Sequence, residues 1–384
     1  MMTSLCSRRK FLGAMGATAG VWLARPSMFL ARPAPAGRVA VAMCPDYGPQ
    51  VVTTMAAMFD QLGGLEGLVR GKTVAIKLNL TGGPFDRLGY IPAGMTHWVH
   101  PEVVGATVHL LGQAGAHRIR LLESPWSTAE PLEEFMLKAN WEPRDFLSAA
   151  PRVEFENTNY LGSGKKYSSF MVPGGGLMFK GYDLNHSYED CDVFVSLAKL
   201  KEHVTAGVTL TMKNCFGMTP CTIYGDGSPE DEPGRVPMGG RGPFHTGNRL
   251  PSKSAPPLVD RSGSKEEGYR VPRVVADLVA ARPVHLGIID GIHTMTKCEG
   301  PWVPGCHHVN PGLLIAGRNC VSTYAVGMAL MGFDPMADRG TPPFETRDST
   351  LRLAEQLGVG TRDLRQIEVV GTPISKGRFD FRRA

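Results

Sequence analysis

The chain has 384 residues, 42% of them hydrophobic and 20% charged, a composition that excludes a disordered or fibrous protein and fits a large α/β domain or two lobes. Its net charge of +5 is misleading, because residues 1–36 hold five basic side chains (Arg8, Arg9, Lys10, Arg25, Arg32) and no acid. The remainder is close to neutral, which removes the compositional support for a nucleic-acid partner.

The first segment in chain order reads as an address. Ser7-Arg8-Arg9-Lys10-Phe11-Leu12 followed by a mildly apolar run to Ala24 is a twin-arginine signature. It predicts recognition by the twin-arginine export machinery, cleavage between Ala31 and Gly37, and a periplasmic mature protein. Such substrates cross the membrane folded, often with a cofactor already loaded. No later window approaches the ~18 consecutive apolar residues of a membrane span.

Strand and helix patterns then alternate as in an α/β sheet. Strands are predicted at 38–44, 72–80, 118–124, 192–200, 284–292, 312–318 and 367–374, and helices at 50–64, 100–115, 131–141, 204–214 and 323–332. Several strands are apolar on both faces, as a buried parallel sheet requires. The expected fold is α/β, a mostly parallel central sheet flanked by helices. Residues 152–184, with GSGKK and PGGG turns, read as a small antiparallel excursion. Residues 219–270 read as a long Gly/Pro-rich loop, a lid over a site or an unstructured segment, with His245 favouring the lid. The mature chain divides into an N-terminal lobe, 37–190, and a C-terminal lobe, 191–384.

In open parallel sheets ligands sit beyond the carboxyl ends of the strands. Those ends carry Lys77 and Asn79, then Glu123 and Ser124, then Lys199, Lys201 and His203, then Asp290 and His293. The expectation is a small-molecule site with His203, Lys201 and Asp290 in catalytic roles and Lys77, Asn79, Lys199, Lys213, Asn214 and Glu123 binding an anionic substrate. Each has a plainer reading. Lys77 could snorkel from an edge strand, Lys199 and Lys201 could mark a solvated strand end, and Lys213 suits a helix C-terminus. His97 and His100 precede Pro101-Glu102 and suit a helix start.

Residues 290–308 crowd His293, Cys298, Glu299, Cys306, His307 and His308 together. These are metal-ligand types, and His293, Cys298, Glu299, Cys306 and His307 are the candidate set for a divalent metal. A Cys298–Cys306 disulfide and a loop with neither are the competing readings. Of the eight cysteines, Cys6 lies in the signal, and no Cys-x-x-Cys occurs, so a four-cysteine iron–sulfur cluster is not expected. There is no G-x-S-x-G, Walker A or H-E-x-x-H motif, and Cys44-Pro45-Asp46-Tyr47-Gly48-Pro49 replaces a dinucleotide fingerprint.

Several of these blocks occur in a familiar order: Lys77 to Leu80, His100 to Val104, Leu197 to Gly217 (Leu-x-Lys-Leu-Lys-x-His, then Lys-Asn-x-Phe-Gly), Asp290 to Pro301, and Ala329 to Pro335. Together they resemble the domain of unknown function 362 family over about residues 70–335. The resemblance implies an α/β fold and charged motif residues at one site, and supplies no reaction. Many members carry a ferredoxin-like cysteine segment, absent here, so electron transfer does not carry over. Members also commonly show an Asp where this chain reads Asn319 to Tyr324. The resemblance implies an altered or inactive site if that acid is needed. A fainter likeness to nickel-pincer racemases rests on lysines and histidines on a similar scaffold. The functional expectation is an enzyme acting on an anionic small molecule or cofactor. The alternatives are a non-catalytic metal- or cofactor-binding protein and an inactive scaffold.

Overall fold

A computed structural model describes residues 35–126, 128–226, 240–245, 250–259 and 265–384. The twin-arginine segment and its cleavage region up to residue 34 lie outside these residues.

The apolar runs form eight strands of one sheet: β1 (Val39–Met43), β2 (Thr73–Lys77), β3 (Arg118–Glu123), β4 (Val153–Asn157), β7 (Val193–Lys199), β10 (Leu286–Gly291), β13 (Leu313–Gly317) and β14 (Val369–Gly371). Two-stranded ribbons account for the rest: β5 (Ser168–Met171) with β6 (Gly181–Leu184), β8 (Glu202–His203) with β9 (Gly207–Val208), and β11 (Thr294–Thr296) with β12 (His307–Val309). The order in the large sheet is β14-β1-β13-β10-β7-β2-β3-β4. β13 alone runs against its neighbours, β1 and β10, while every other pairing is parallel.

Side-chain alternation along each strand divides the interior into two layers. Val74, Ile76, Leu121, Val195, Leu197 and Ile288 pack with the helices Gln50–Gln61, Pro101–Gln113, Leu132–Lys138 and Pro143–Ala149. Ala75, Leu122, Phe194, Ile289, Leu313 and Ile315 pack on the other face, with Leu210–Asn214, Glu267–Ala281, Cys320–Leu330 and Thr350–Gln356. Cys320–Leu330 is buried at every residue, as expected of a helix that is apolar on all sides. The mostly parallel α/β architecture is therefore the one the strand–helix alternation implies. Among the described residues no helix is long and apolar enough to cross a membrane.

Three local expectations are corrected. β4 is a parallel edge strand of the large sheet, so the antiparallel excursion in 152–184 shrinks to the β5–β6 hairpin. The helix expected over 204–214 starts only at Leu210. Before it, Gly207 at φ +79° lets the chain fold back so that Gly207–Val208 pairs with Glu202–His203. Leu210 itself sits at φ +43°, a conformation that costs a non-glycine residue about 1–2 kcal/mol. The third concerns only the described parts of 219–270, which contain the short helices Cys221–Tyr224 and Gly242–His245 and the start of Glu267–Ala281; residues 227–239, 246–249 and 260–264 of that segment lie outside the described residues.

Strands on both sides of residue 190 share this one sheet, and β1 lies among the strands of the C-terminal half. The described residues from 35 onward fall within one compact unit.

Candidate functional site

A cavity of about 520 Å³ opens at the carboxyl ends of β2, β3 and β7, on the face that carries the helix Leu210–Asn214. Lys77 ends β2 with the same facing as Ala75 and reaches this side. It is buried and ion-paired to Glu123, the last residue of β3. The pair is closed by further bonds. Lys77 Nζ donates to Leu78 O (2.7 Å), and the Glu123 carboxylate accepts from Leu80 N (2.8 Å) and Ser124 N (2.9 Å). Gly217 passes so close that a Cβ there would sit 2.8 Å from Lys77 Nζ and 3.1 Å from Glu123 Oε1.

Asn214 fastens the short helix to the strand ends. Its Nδ2 lies 3.1 Å from Lys77 O, 3.0 Å from Ser196 Oγ and 3.3 Å from Leu197 O. That clamp sets Lys213 on the cavity wall, with its amine 4.0 Å from the centroid of the Phe216 ring. Among the described residues neither a hydrogen-bond acceptor nor a carboxylate within ion-pairing distance serves this amine. Burial above all, with help from Lys201, Arg241 and Lys77 and against the pull of Glu299, lowers its pKa to about 7.

The opposite wall comes from residues 240–245 and from the loop after β11. Arg241 Nε donates to Thr219 O (2.8 Å), and one of its terminal nitrogens reaches Ser124 O (3.0 Å) and Oγ (2.6 Å). No carboxylate among the described residues pairs with it. His245 leans its ring edge toward Phe216, with centroids 5.5 Å apart. Glu299 is placed by Val204 N, which donates to its Oε2 (3.1 Å), and by Lys201, whose Nζ donates to its backbone carbonyl (2.7 Å). Burial brings the Lys201 amine to about 7 as well.

His203 Nδ1 lies 3.0 Å from Glu299 Oε2 and 3.1 Å from Thr205 N. Burial, reinforced by Lys213, Lys201, His245 and Arg347, holds this imidazole neutral, far below its usual pKa. A neutral ring with its proton on Nδ1 donates to Glu299 and keeps Nε2 as a base. The other tautomer accepts from Thr205 N–H and keeps Nε2 as an acid. Two buried oxygens of the lining, Thr209 Oγ1 and Asn214 Oδ1, have no hydrogen-bond partner among the described residues.

The cavity thus gathers Lys77, Asn79, Glu123, His203, Lys213 and Asn214 of the residues expected from the sequence, and Glu299 from the supposed metal set. Lys201 stands behind Glu299. Lys199 and Asp290 do not line the cavity. Lys199 follows Leu197, which packs into the other layer, whereas Lys77 is in register with Ser196. The sheet therefore separates the two lysines. Lys199 Nζ is saturated by Asp290 Oδ2 (2.9 Å), Tyr47 OH (2.9 Å) and Gly94 O (2.8 Å). Asp290 also accepts from His100 N (2.8 Å) and is fully buried, so it braces the fold.

The metal set is dispersed. A disulfide joins Cys298 to Cys306, which removes both as thiolate ligands. His293 sits between Asp46 (3.1 Å) and His308 (3.2 Å), and His307 is exposed. Among the described residues no three His, Cys, Asp or Glu side chains converge on a metal-sized point. Asn319 is far from idle, since its Oδ1 caps the helix Cys320–Leu330 by accepting from Val321 N and Ser322 N, both at 3.0 Å. The segment Asn319 to Tyr324 does not line the cavity.

Sequence reading missed Arg241, Thr209, Phe216, Trp126 and Trp302. Arg241 stands in a Gly/Pro-rich stretch without periodicity, and only its nearness to His245 marked the region.

Fold and site together define an α/β protein with a pocket at the strand ends lined by cations (Lys77, Lys213, Arg241) and by carboxylates (Asp86, Glu123, Glu299). Residues 74–329 match the model of the family described as "Domain of unknown function (DUF362)", and the chain belongs to that family. No curated protein matches it. Among solved structures it is similar to a protein from Thermotoga maritima, with 15% identity and a TM-score of 0.28 over 44% of this chain and 37% of that one. It is also similar to the lactate racemase apoprotein from Thermoanaerobacterium thermosaccharolyticum, with 13% identity and a TM-score of 0.34 over 68% of this chain and 51% of that one. The chain therefore spans about half or less of either protein's length.

Proposed function

We propose that this protein is an enzyme acting on a small anionic molecule held in the cavity at the strand ends. Arg241 and Lys213 attract and orient the anion. His203, held by Glu299, moves a proton, and Lys201 positions Glu299 through its backbone carbonyl. The observation that carries the reading is that two cations, Arg241 and Lys213, line one cavity and have no carboxylate at ion-pairing distance among the described residues. Buried positive charge without compensation is unfavourable, and an anionic ligand supplies the compensation.

The test is calorimetric titration with inorganic phosphate and a panel of small carboxylates. Saturable binding is expected, weakened about 10- to 100-fold in Arg241→Met, as loss of a hydrogen bond to a charged group implies, and less in Arg241→Lys. Affinity should also fall as pH rises through 7, where Lys213 loses its charge. Binding indifferent to Arg241, or no binding, rejects the reading.

The proposal extends to location. The Ser7 to Leu12 signature and the Cys298–Cys306 disulfide both favour export to an oxidising compartment. An Arg8→Lys/Arg9→Lys double variant should stay in the cytoplasmic fraction, and a variant exported as well as the parent would refute the signal.

A further inference from the structure

We propose that Lys213 is a nucleophile, forming an imine with a 2-oxo carboxylate bound in the cavity. The inference rests on the anion-site reading and names the substrate class of that same site.

The four buried lysines are the place to begin. Lys77 is ion-paired to Glu123, Lys199 to Asp290, and Lys201 donates to Glu299 O. Lys213 alone has no oxygen acceptor among the described residues. Its amine stands over the Phe216 ring instead. It is also the one whose position on the wall is fixed from behind, by the three bonds of its neighbour Asn214. An amine kept dry among other cations is partly neutral at pH 7, and a neutral amine attacks carbonyl carbon.

The surroundings match the remaining needs of the step. Arg241 keeps its Nη1 outside the bonds to Thr219 and Ser124, as a charged donor for a carboxylate, which leaves the adjacent carbonyl for the lysine. His203 lines the same cavity and is neutral. The lone pair of Lys213 Nζ forms a bond to the carbonyl carbon, and the carbonyl π electrons move to oxygen. The nitrogen, now positively charged, gives one proton to the neutral His203 Nε2, and the imidazolium returns it to the alkoxide oxygen, which gives the carbinolamine. The second nitrogen proton follows the same path to the hydroxyl, which leaves as water while the nitrogen lone pair closes C=N. Uptake of one solvent proton then gives the protonated imine. One amine and one carbonyl give one imine and one water, with no change in oxidation state. The protonated imine restores a positive charge beside the bound carboxylate and can accept electrons from a neighbouring bond.

The test incubates the full protein with pyruvate, and separately with phenylpyruvate because Trp126 and Trp302 line the same cavity, then reduces with sodium borohydride. The expected result is a covalent adduct, seen by intact mass as the acid less one oxygen and mapped by peptide sequencing to Lys213. Lys213→Arg, which keeps the charge, should lose at least 10-fold of the adduct while still binding phosphate. An adduct spread over surface lysines, or none at Lys213 while phosphate and carboxylates still bind in an Arg241-dependent way, overturns the imine and leaves the anion site standing. Loss of both signals overturns both.

Discussion

Lys77 and Lys213 reach the same cavity from different elements, and an adjacent carboxylate makes the main difference between them. Glu123 compensates Lys77 at once, so this pair belongs to the framework of the site. Breaking a buried pair strands a charge, which costs about 3–5 kcal/mol. Glu123→Ala should therefore lower the free energy of unfolding in urea by that amount. A Lys77→Met/Glu123→Leu double variant should lose less, although Leu80 N and Ser124 N then want for an acceptor at about 1–3 kcal/mol. A single variant as stable as the parent would mean the pair is not closed. Gly217 shares this logic, since any side chain there collides with the pair it covers.

The loop between β11 and β12 deserves an element-level test, because it carries both Glu299 and Trp302 and is closed by Cys298–Cys306. Cross-linking so short a loop restricts the unfolded chain by about 2–3 kcal/mol in the entropic model. Cys298→Ser/Cys306→Ser should lower the thermal midpoint accordingly and weaken anion binding, as Glu299 and its hold on His203 loosen. Unchanged affinity would detach the loop from the site. Elements of this kind also mark how far sequence reading reaches. Lys77, Asn79, Glu123 and His203 were legible because each follows a run of apolar residues long enough to be a buried strand. The direction of β13 was not, because Leu313–Gly317 is apolar on both faces whichever way it runs. Nor was the separation of Lys199 from Lys77, which depends on register between strands far apart in the chain. The helix at 210–214 was overextended because Val204 to Val208 carries apolar residues at helical spacing, and only the fold-back at Gly207 shows the strand pairing.

At the scale of the whole molecule, the buried bases set a pH dependence. Lys201 and Lys213 titrate near 7 when folded and near 10.5 when unfolded. Between those values the unfolded chain binds more protons, so stability rises with pH, by up to about 1.4 kcal/mol per pH unit for each lysine. It falls again toward pH 7, where both amines must carry charge in a dry site. His203, depressed below its ordinary value of 6.5, continues the loss on the acid side. Thermal midpoints measured from pH 7 to pH 8.5 should rise, and Lys213→Met should flatten that slope relative to the parent; above about pH 9 the buried thiols of Cys44, Cys191, Cys215 and Cys320, held above their ordinary value by burial, oppose the rise. Equal slopes in the two proteins would place the Lys213 pKa near that of a free lysine.

The position of β1 bears on how such a molecule is made. Its neighbours are Leu313–Gly317 and Val369–Gly371, near the far end of the chain. While a nascent polypeptide emerges from the ribosome, β2, β3, β4 and β7 can pair early, but β1 must wait for β13 and β14, about 270 and 330 residues further on. Closure of such distant contacts is slow, and β1 stays unpaired until both have been made. A truncated product would leave β1 without a partner on one edge, an open ladder for quality-control proteases to recognise.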